Sequence, residues 1–361
     1  MPLRCSSIHG QLNAYDQNEA AWAVIRDTYK TLDLRMPCCG RSAIPKTSQL
    51  GTFFFAHSRR GDCTSARETK EHLLAKSIIA MAAVSAGWEV STEYRGADQD
   101  GSSWVADVLA TKGNVKVAFE VQWSKQVGSQ TRIRQALYKR SGVRGLWLFR
   151  QEEFDSNQDL PAFRLLYNEI TNRFTVEIKS HAYSVSDGQQ IELSDFARGC
   201  LSRKLRWAPS INLKVPTRFD GAEITCWKCK KPTTVIVGIT AEISKILPGH
   251  DDLPFSIYDF GNNKLSRDES LAVLKAIIPR SLYPKGRVGQ IRMRYSKTEG
   301  REYMSNGCAH CGALQGRFFD HEYASEAEPV AYGEVALDDS FFRAIGYMER
   351  DLLKRWYFSQ T

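Results

Sequence analysis

Residues 104–123, WVADVLATKGNVKVAFEVQW, read as two strands joined by a turn at Lys112-Gly113-Asn114. In 115–123 side chains alternate between faces, because a strand has a period of two. Val115, Val117, Phe119, Val121 and Trp123 take one face, which leaves Lys116, Ala118, Glu120 and Gln122 on the other. Glu120 and Gln122 are therefore neighbours on a single face. In the strand before the turn, Asp107 lies among Trp104, Val105, Ala106, Val108 and Leu109, where an uncompensated buried carboxylate costs several kcal/mol. A divalent cation shared by Asp107 and Glu120 would compensate it, since hard cations such as Mg²⁺ take carboxylate oxygens. An ordinary amphipathic strand beside a salt-bridged Asp fits the same spacing.

Upstream, Trp88–Arg95 reads as a third strand, separated from the pair by the turn material GADQDGSS. Before it, Glu68–Ala86 reads as a helix with Leu73, Leu74, Ile78 and Met81 at helical spacing and Gly87 as its stop. Glu68, His72 and Lys76 recur every four residues and read as a polar stripe away from the Leu74/Ile78/Met81 face. Downstream, residues 129–141 form a helix and GLWLFR, 145–150, a buried fourth strand. The order is αβββαβ, an α/β fold. Beyond residue 160 the pattern gives alternating strands near 163–192, a helix near 193–207 and a C-terminal helix near 339–357.

With these motifs in place the chain resembles the CoiA-like competence protein family. The residues that carry the likeness are Glu68-Thr-Lys-Glu-His72, Ala106-Asp107-Val108, Phe119-Glu120-Val121-Gln122-Trp123-Ser124, Arg134-Gln135-Ala-Leu-Tyr138 and Gly145-Leu-Trp147, with Phe54-Phe55-Ala56-His57 upstream. The likeness covers roughly residues 30–150. It implies a restriction-endonuclease-like nuclease core of the PD-(D/E)XK type in which the final Lys is replaced by Gln, giving E-x-Q. It further implies Asp107 and Glu120 as ligands of a catalytic Mg²⁺ (or Mn²⁺), Gln122 as the signature residue, and Glu68 and His72 as contributors from the helix. If a cation must replace the missing Lys, then Lys116, Lys76 and Lys125 are the candidates. Processing of incoming DNA in natural competence and restriction of foreign or phage DNA would use the same site. A catalytically inactive zinc-containing nucleic-acid-binding protein is the alternative.

Charge distribution fits a polyanionic partner. There are 49 Lys and Arg against 41 Asp and Glu, a net charge of +8. Between Glu120 and Glu152 no acid occurs, while Lys125, Arg132, Arg134, Lys139, Arg140, Arg144 and Arg150 are all positive. We assign Lys125, Arg132, Arg134 and Lys139 to phosphate contacts, which position a nucleic acid without reading its sequence. DNA is the expected partner, RNA stays open, and so does the oligomeric state.

Nine cysteines fall largely into two clusters. Cys38, Cys39, His57 and Cys63 form a candidate zinc site. The CoiA-like pattern often has C-P-x-C-G here, whereas this chain reads Met36-Pro37-Cys38-Cys39-Gly40, with Cys38 standing in for the missing Cys. Cys226-x-x-Cys229 and Cys308-x-x-Cys311 are two knuckles of a structural zinc ribbon. Their separation exceeds the usual ~15–20 residues, which calls for an inserted subdomain at 232–305. Three units result: an N-terminal helix and zinc-knuckle region (1–65), the nuclease core (66–155) and a zinc-ribbon domain (156–361).

Composition bounds the rest. The chain has 361 residues, 42% hydrophobic and 11% aromatic, enough for real cores and too apolar for disorder. No run approaches the ~18 apolar residues of a membrane helix. The N-terminal MPLRCSSIHGQLNAYDQ lacks the apolar segment of a secretory signal, so a cytoplasmic, reducing environment with thiols or metal rather than disulfides is expected. There is no G-x-x-x-x-G-K-S/T loop of an ATP motor.

Overall fold

A computed structural model describes residues 2–59, 61, 63, 68–124, 128–178, 189–208, 213–247, 250–260, 267–283, 287–317, 323–346 and 355–359. The N-terminal region comprises hairpin β1 (Arg4–Ser7) and β2 (Gly10–Asn13), helix α1 (Glu19–Thr28) and a second hairpin, β3 (Ala43–Thr47) with β4 (Phe53–His57). Trp22 packs on Phe53 and Phe55 at its centre.

The central unit begins with α2 (Lys70–Ser85), capped by the Thr69 hydroxyl, which accepts from the His72 amide. Then come β5 (Glu89–Ala97), β6 (Ser103–Lys112), β7 (Val115–Gln122), α3 (Gly128–Arg140) and β8 (Val143–Phe149). This is the αβββαβ order read from the sequence. Helix α3 carries the chain over to lay β8 parallel to β7, a step no tight turn can make. The sheet then continues past residue 155 through β9 (Ala162–Asn168), β10 (Arg173–Ile178) and β11 (Gln189–Glu192), giving seven strands in the order β11-β10-β9-β8-β7-β6-β5. It is mixed: β7/β8 and β8/β9 are parallel and the other pairs antiparallel. Helix α4 (Leu193–Leu201) joins α2 on one face, over Phe119, Val121, Leu146 and Leu148. On the other face Tyr138 of α3 packs with Trp104, Ala118 and Trp147.

Two expectations are corrected. The buried side of α2 is Leu73, Lys76, Ile79 and Ala83, whereas Met81 and Val84 are exposed. The polar stripe thus points into the protein, because the helix lies against the sheet on that side and the N-terminal segment around Leu3 closes it off. At the C-terminus the helix covers only Asp339–Ala344. Residues 355–358 instead form an antiparallel strand with β12 (Leu205–Ala208), where the helix expected at 193–207 has already ended. Trp356 and Phe358 pack back on Phe163 and Phe196, a better use of alternating aromatics than a helix would give.

In the C-terminal unit, β13 (Leu213–Thr225), β14 (Pro232–Ala241), a short strand Leu253–Phe255 and a long strand Glu328–Leu337 form a four-stranded antiparallel sheet. Helix α5 (Arg267–Ile277) contributes Leu274 and Ile277 to its core. Strands Arg292–Ser296, Arg301–Gly307 and Leu314–Gln315 form a second sheet. The stretch 232–305 therefore shares one core with the strands on either side of it.

Candidate functional site

The antiparallel register pairs Thr92 with Val108 and Tyr94 with Ala106, which brings Glu93 of β5 and Asp107 of β6 to the same level between those pairs. Carried one step past Val108 and Phe119, where the β6/β7 ladder ends, the next register also sets Asp107 opposite Glu120. Like charges in one row repel, so the row needs cations. The ladder ends here, and the Val121 amide donates to Asp107 Oδ2 at 2.9 Å. Glu93 adopts φ +48, an uncommon conformation for a residue other than glycine.

Two side chains supply charge. Lys76 of α2 is fully buried (0% exposed), donates to Glu68 Oε1 at 2.8 Å and pairs with Glu93 Oε1. Arg134 of α3 donates to Glu120 Oε2 at 2.5 Å and to the Val105 carbonyl at 2.9 Å, and its guanidinium lies over the Trp147 ring. The Tyr138 hydroxyl donates to Glu120 Oε1. His72 Nε2 lies 3.3 Å from Asp107 Oδ2.

Glu68, His72, Glu93, Asp107, Glu120 and Gln122 all line one cavity of about 430 Å³. Ligand atoms of Glu68, His72 and Asp107 lie within 4.8 Å of one another, as in a metal site. Four carboxylates meet two paired cations, Lys76 and Arg134. The remaining lining cation, Arg95, is exposed and makes no ion pair among the described residues. His72, paired with Asp107, is a further basic group among these carboxylates.

Protonation follows from the same crowding of charges. Burial, reinforced by the Asp107 charge, pushes Glu120 up to about 7 even though Arg134 and Tyr138 oppose it. Burial also raises Glu93 against the pull of Lys76. Burial disfavours charge on Asp107 too, but His72, Lys76 and the Val121 amide hold it well below the usual carboxylate range. At His72 the burial penalty is outweighed by Asp107, so the imidazole holds its proton more tightly than usual.

The other motif residues have structural roles. Gln135 accepts from Trp147 Nε1 at 2.7 Å and donates to the Asp159 carbonyl at 2.8 Å. Gly145 leaves it room, since a Cβ there would sit 2.2 Å from Gln135 Oε1. Of the residues assigned to phosphate, Arg132 and Lys139 pair with Asp155 and Asp159, both pairs exposed, while Arg134 is committed to Glu120. Lys125 lies outside the described residues. Lys116 is exposed at the far end of β7 and does not line the cavity. Of the described candidates for the missing Lys, only Lys76 contacts the site. Sequence reasoning missed Glu93 and Arg95, because EVSTEYRG reads as plain strand alternation.

Both cysteine clusters assemble. A tetrahedral zinc with ~2.3 Å bonds to sulfur requires sulfur–sulfur edges of about 3.8 Å. Cys226 and Cys311 lie 3.7 Å apart and Cys229 and Cys308 3.6 Å. The knuckle backbone favours thiolate: at Cys226 burial is overcome by the Cys229 and Lys228 amides, bringing it down to about 6. His310 bonds the Pro232 carbonyl and stays outside the ligand set. In the N-terminal cluster Cys38 Sγ lies 3.7 Å from Cys39, 3.6 Å from Cys63 and 3.5 Å from His57 Nε2. The adjacent Cys38 and Cys39 thus both reach the cluster, which accounts for the departure from C-P-x-C-G. Cys5, outside both clusters, is buried, and burial pushes its thiol up to about 12.

No described helix is long and apolar enough to cross a membrane. Residues 68–195 match the family described as competence protein CoiA, nuclease-like domain, a span that ends just after β11. Comparison with curated proteins gave no match.

Proposed function

With a CoiA-type nuclease-like domain at residues 68–195 as the premise, we propose that the protein is a metal-dependent nuclease that hydrolyses phosphodiester bonds of DNA. Its core is of the restriction-endonuclease-like type, and its role is the handling of incoming or foreign DNA. The observation that carries this reading is the convergence of Glu68, His72, Asp107 and Glu120 on one cavity, with ligand atoms of the first three within 4.8 Å of one another. Asp107 and Glu120, with Glu68 and His72 from the α2 end, would hold Mg²⁺ or Mn²⁺. When bound, such a cation neutralises charge growing on the phosphate and lowers the pKa of a water.

The chain's own residues do the rest. Lys76 fixes Glu68 and Glu93, and Arg134 and Tyr138 fix Glu120, so that the carboxylates are oriented before substrate arrives. The Gln122 amide, two residues along the strand and lining the same cavity, orients a water and carries no charge. Arg95 at the mouth is free for a substrate phosphate. Arg132 and Lys139 sit in exposed pairs worth about 0–1 kcal/mol, so a phosphate can displace Asp155 and Asp159. Zinc in the two cysteine clusters is structural. Titration calorimetry with Mn²⁺ tests the site: one ion per chain should bind at the cavity, with at least tenfold weaker binding in Asp107→Asn. Equal binding by the variant would refute the assignment.

A further inference from the structure

The C-terminal unit contains a second and larger cleft, of about 970 Å³, between α5 and the segment 288–294 that leads into the second zinc knuckle. Its lining differs in charge from the carboxylate cavity. Among the described residues, Lys275, Arg280, Arg292 and Arg294 line it, and no Asp or Glu does. Arg294 is used structurally: its guanidinium donates to the carbonyls of Gln290 and Ser305, each at 2.8 Å, and stands against Gly307. Lys275, Arg280 and Arg292 are exposed and make no ion pair among the described residues. This contrasts with α3, where Arg132, Arg134, Lys139 and Arg140 all face carboxylates.

Between these cations the cleft is apolar. Leu271, Leu274, Ile278, Val288 and Ile291 line it, with the ring of Tyr283 at the side. The cleft is also anchored: the Thr234 amide of β14 donates to the Arg287 carbonyl at 2.7 Å, and Ala309 and Gly312 of the zinc knuckle form its end. Unpaired cations along an apolar trough suit a strand whose phosphates lie outward and whose bases lie on the floor, the arrangement by which single strands are held without sequence preference. A duplex keeps its bases stacked inside and has no use for the floor.

We propose that this cleft is a second polynucleotide site, which binds an unpaired stretch of nucleic acid with Lys275, Arg280 and Arg292 on its phosphates. The class of ligand rests on the proposed nuclease function, whereas the site itself does not involve the carboxylate cavity. The test uses the full chain without added divalent cations, so that binding is read apart from cleavage. A fluorescent 30-nucleotide single strand and the matching duplex are titrated against the wild type and the triple variant Lys275→Ala/Arg280→Ala/Arg292→Ala at several salt concentrations. Zinc content and circular dichroism confirm that the variant is folded. The single strand should bind the wild type more tightly than the duplex. The variant should lose on the order of tenfold in single-strand affinity, and its salt slope should fall by about 2, as expected for three lost single-strand phosphate contacts. A single strand carrying a photoreactive base should cross-link within 271–294. Unchanged affinity and slope in the variant, duplex preference, cross-links confined to the central unit, or no binding by the wild type would each overturn the proposal. Single-strand binding at the cleft with no metal-dependent cleavage by the wild type would overturn the nuclease reading instead and leave the cleft standing.

Discussion

Lys76→Met removes the cation on which the candidate site is built while keeping an unbranched side chain of similar length. Lys76 is fully buried and holds Glu68 at 2.8 Å and Glu93 on its other side. Without the ammonium, two carboxylates face each other in a closed space beside Asp107. Removing one partner of a buried ion pair costs about 3–5 kcal/mol. Proton uptake by Glu93, already raised by burial, limits the loss to the lower end of that range near neutral pH. For a unit of this size each kcal/mol is worth about 2–4 °C, so Tm should fall by about 10 °C. Thermal unfolding followed by circular dichroism at pH 7.5 in metal-free buffer reads this directly. Adding Glu93→Gln should recover part of the loss, because the two residues share one interaction and their effects do not add. A drop of less than about 3 °C, or fully additive effects, would refute a charged Lys76 clamped between Glu68 and Glu93.

Glu120 holds its proton up to about 7 when folded, against 4.5 as its ordinary value. The native state therefore binds more protons through that window, and metal-free stability falls as pH rises across it. Glu120→Gln should match the wild type at pH 5 and exceed it above pH 7 by up to about 3 kcal/mol, and urea unfolding at the two pH values checks this. Elemental analysis should find two zinc ions per chain, one lost in Cys226→Ser and the other in Cys39→Ser, with the tertiary signal of the affected region lost as well; retention of both ions in both variants would contradict the ligand sets. Gly145→Ala should lower stability by about 1–3 kcal/mol through the clash with Gln135, and a neutral result would show that Gln135 moves without cost.

The first four strands of the central sheet were legible because their edges are punctuated. Strict alternation in 115–123, Gly113 in the turn and Gly87 after α2 leave little choice of period or boundary. The Asp107/Glu120 pair was legible for the same reason. Lys76 was one of three candidate cations and could not be singled out, because its burial depends on α2 lying over β5 and on the N-terminal segment that closes the site, neither of which has a local signal. Glu93 needed the β5/β6 register, which only the folded pairing supplies. The acid-free basic run after Glu120 looked like a free phosphate surface, but carboxylates from 152–159 and from β5–β7 fold back onto it. The zinc knuckles, defined by spacing alone, assembled as expected, although the stretch between them belongs to the common core.

The most direct measurement is cleavage of single-stranded, duplex and branched DNA, with RNA alongside, by purified wild type, Asp107→Asn and Glu120→Gln in the presence of Mg²⁺, of Mn²⁺, and of no divalent cation. The account predicts DNA cleavage by the wild type only with a divalent cation, and a loss of at least a hundredfold in both variants with the fold retained. Cleavage that persists in both variants, or nucleic-acid binding by the wild type without any metal-dependent cleavage, would contradict it.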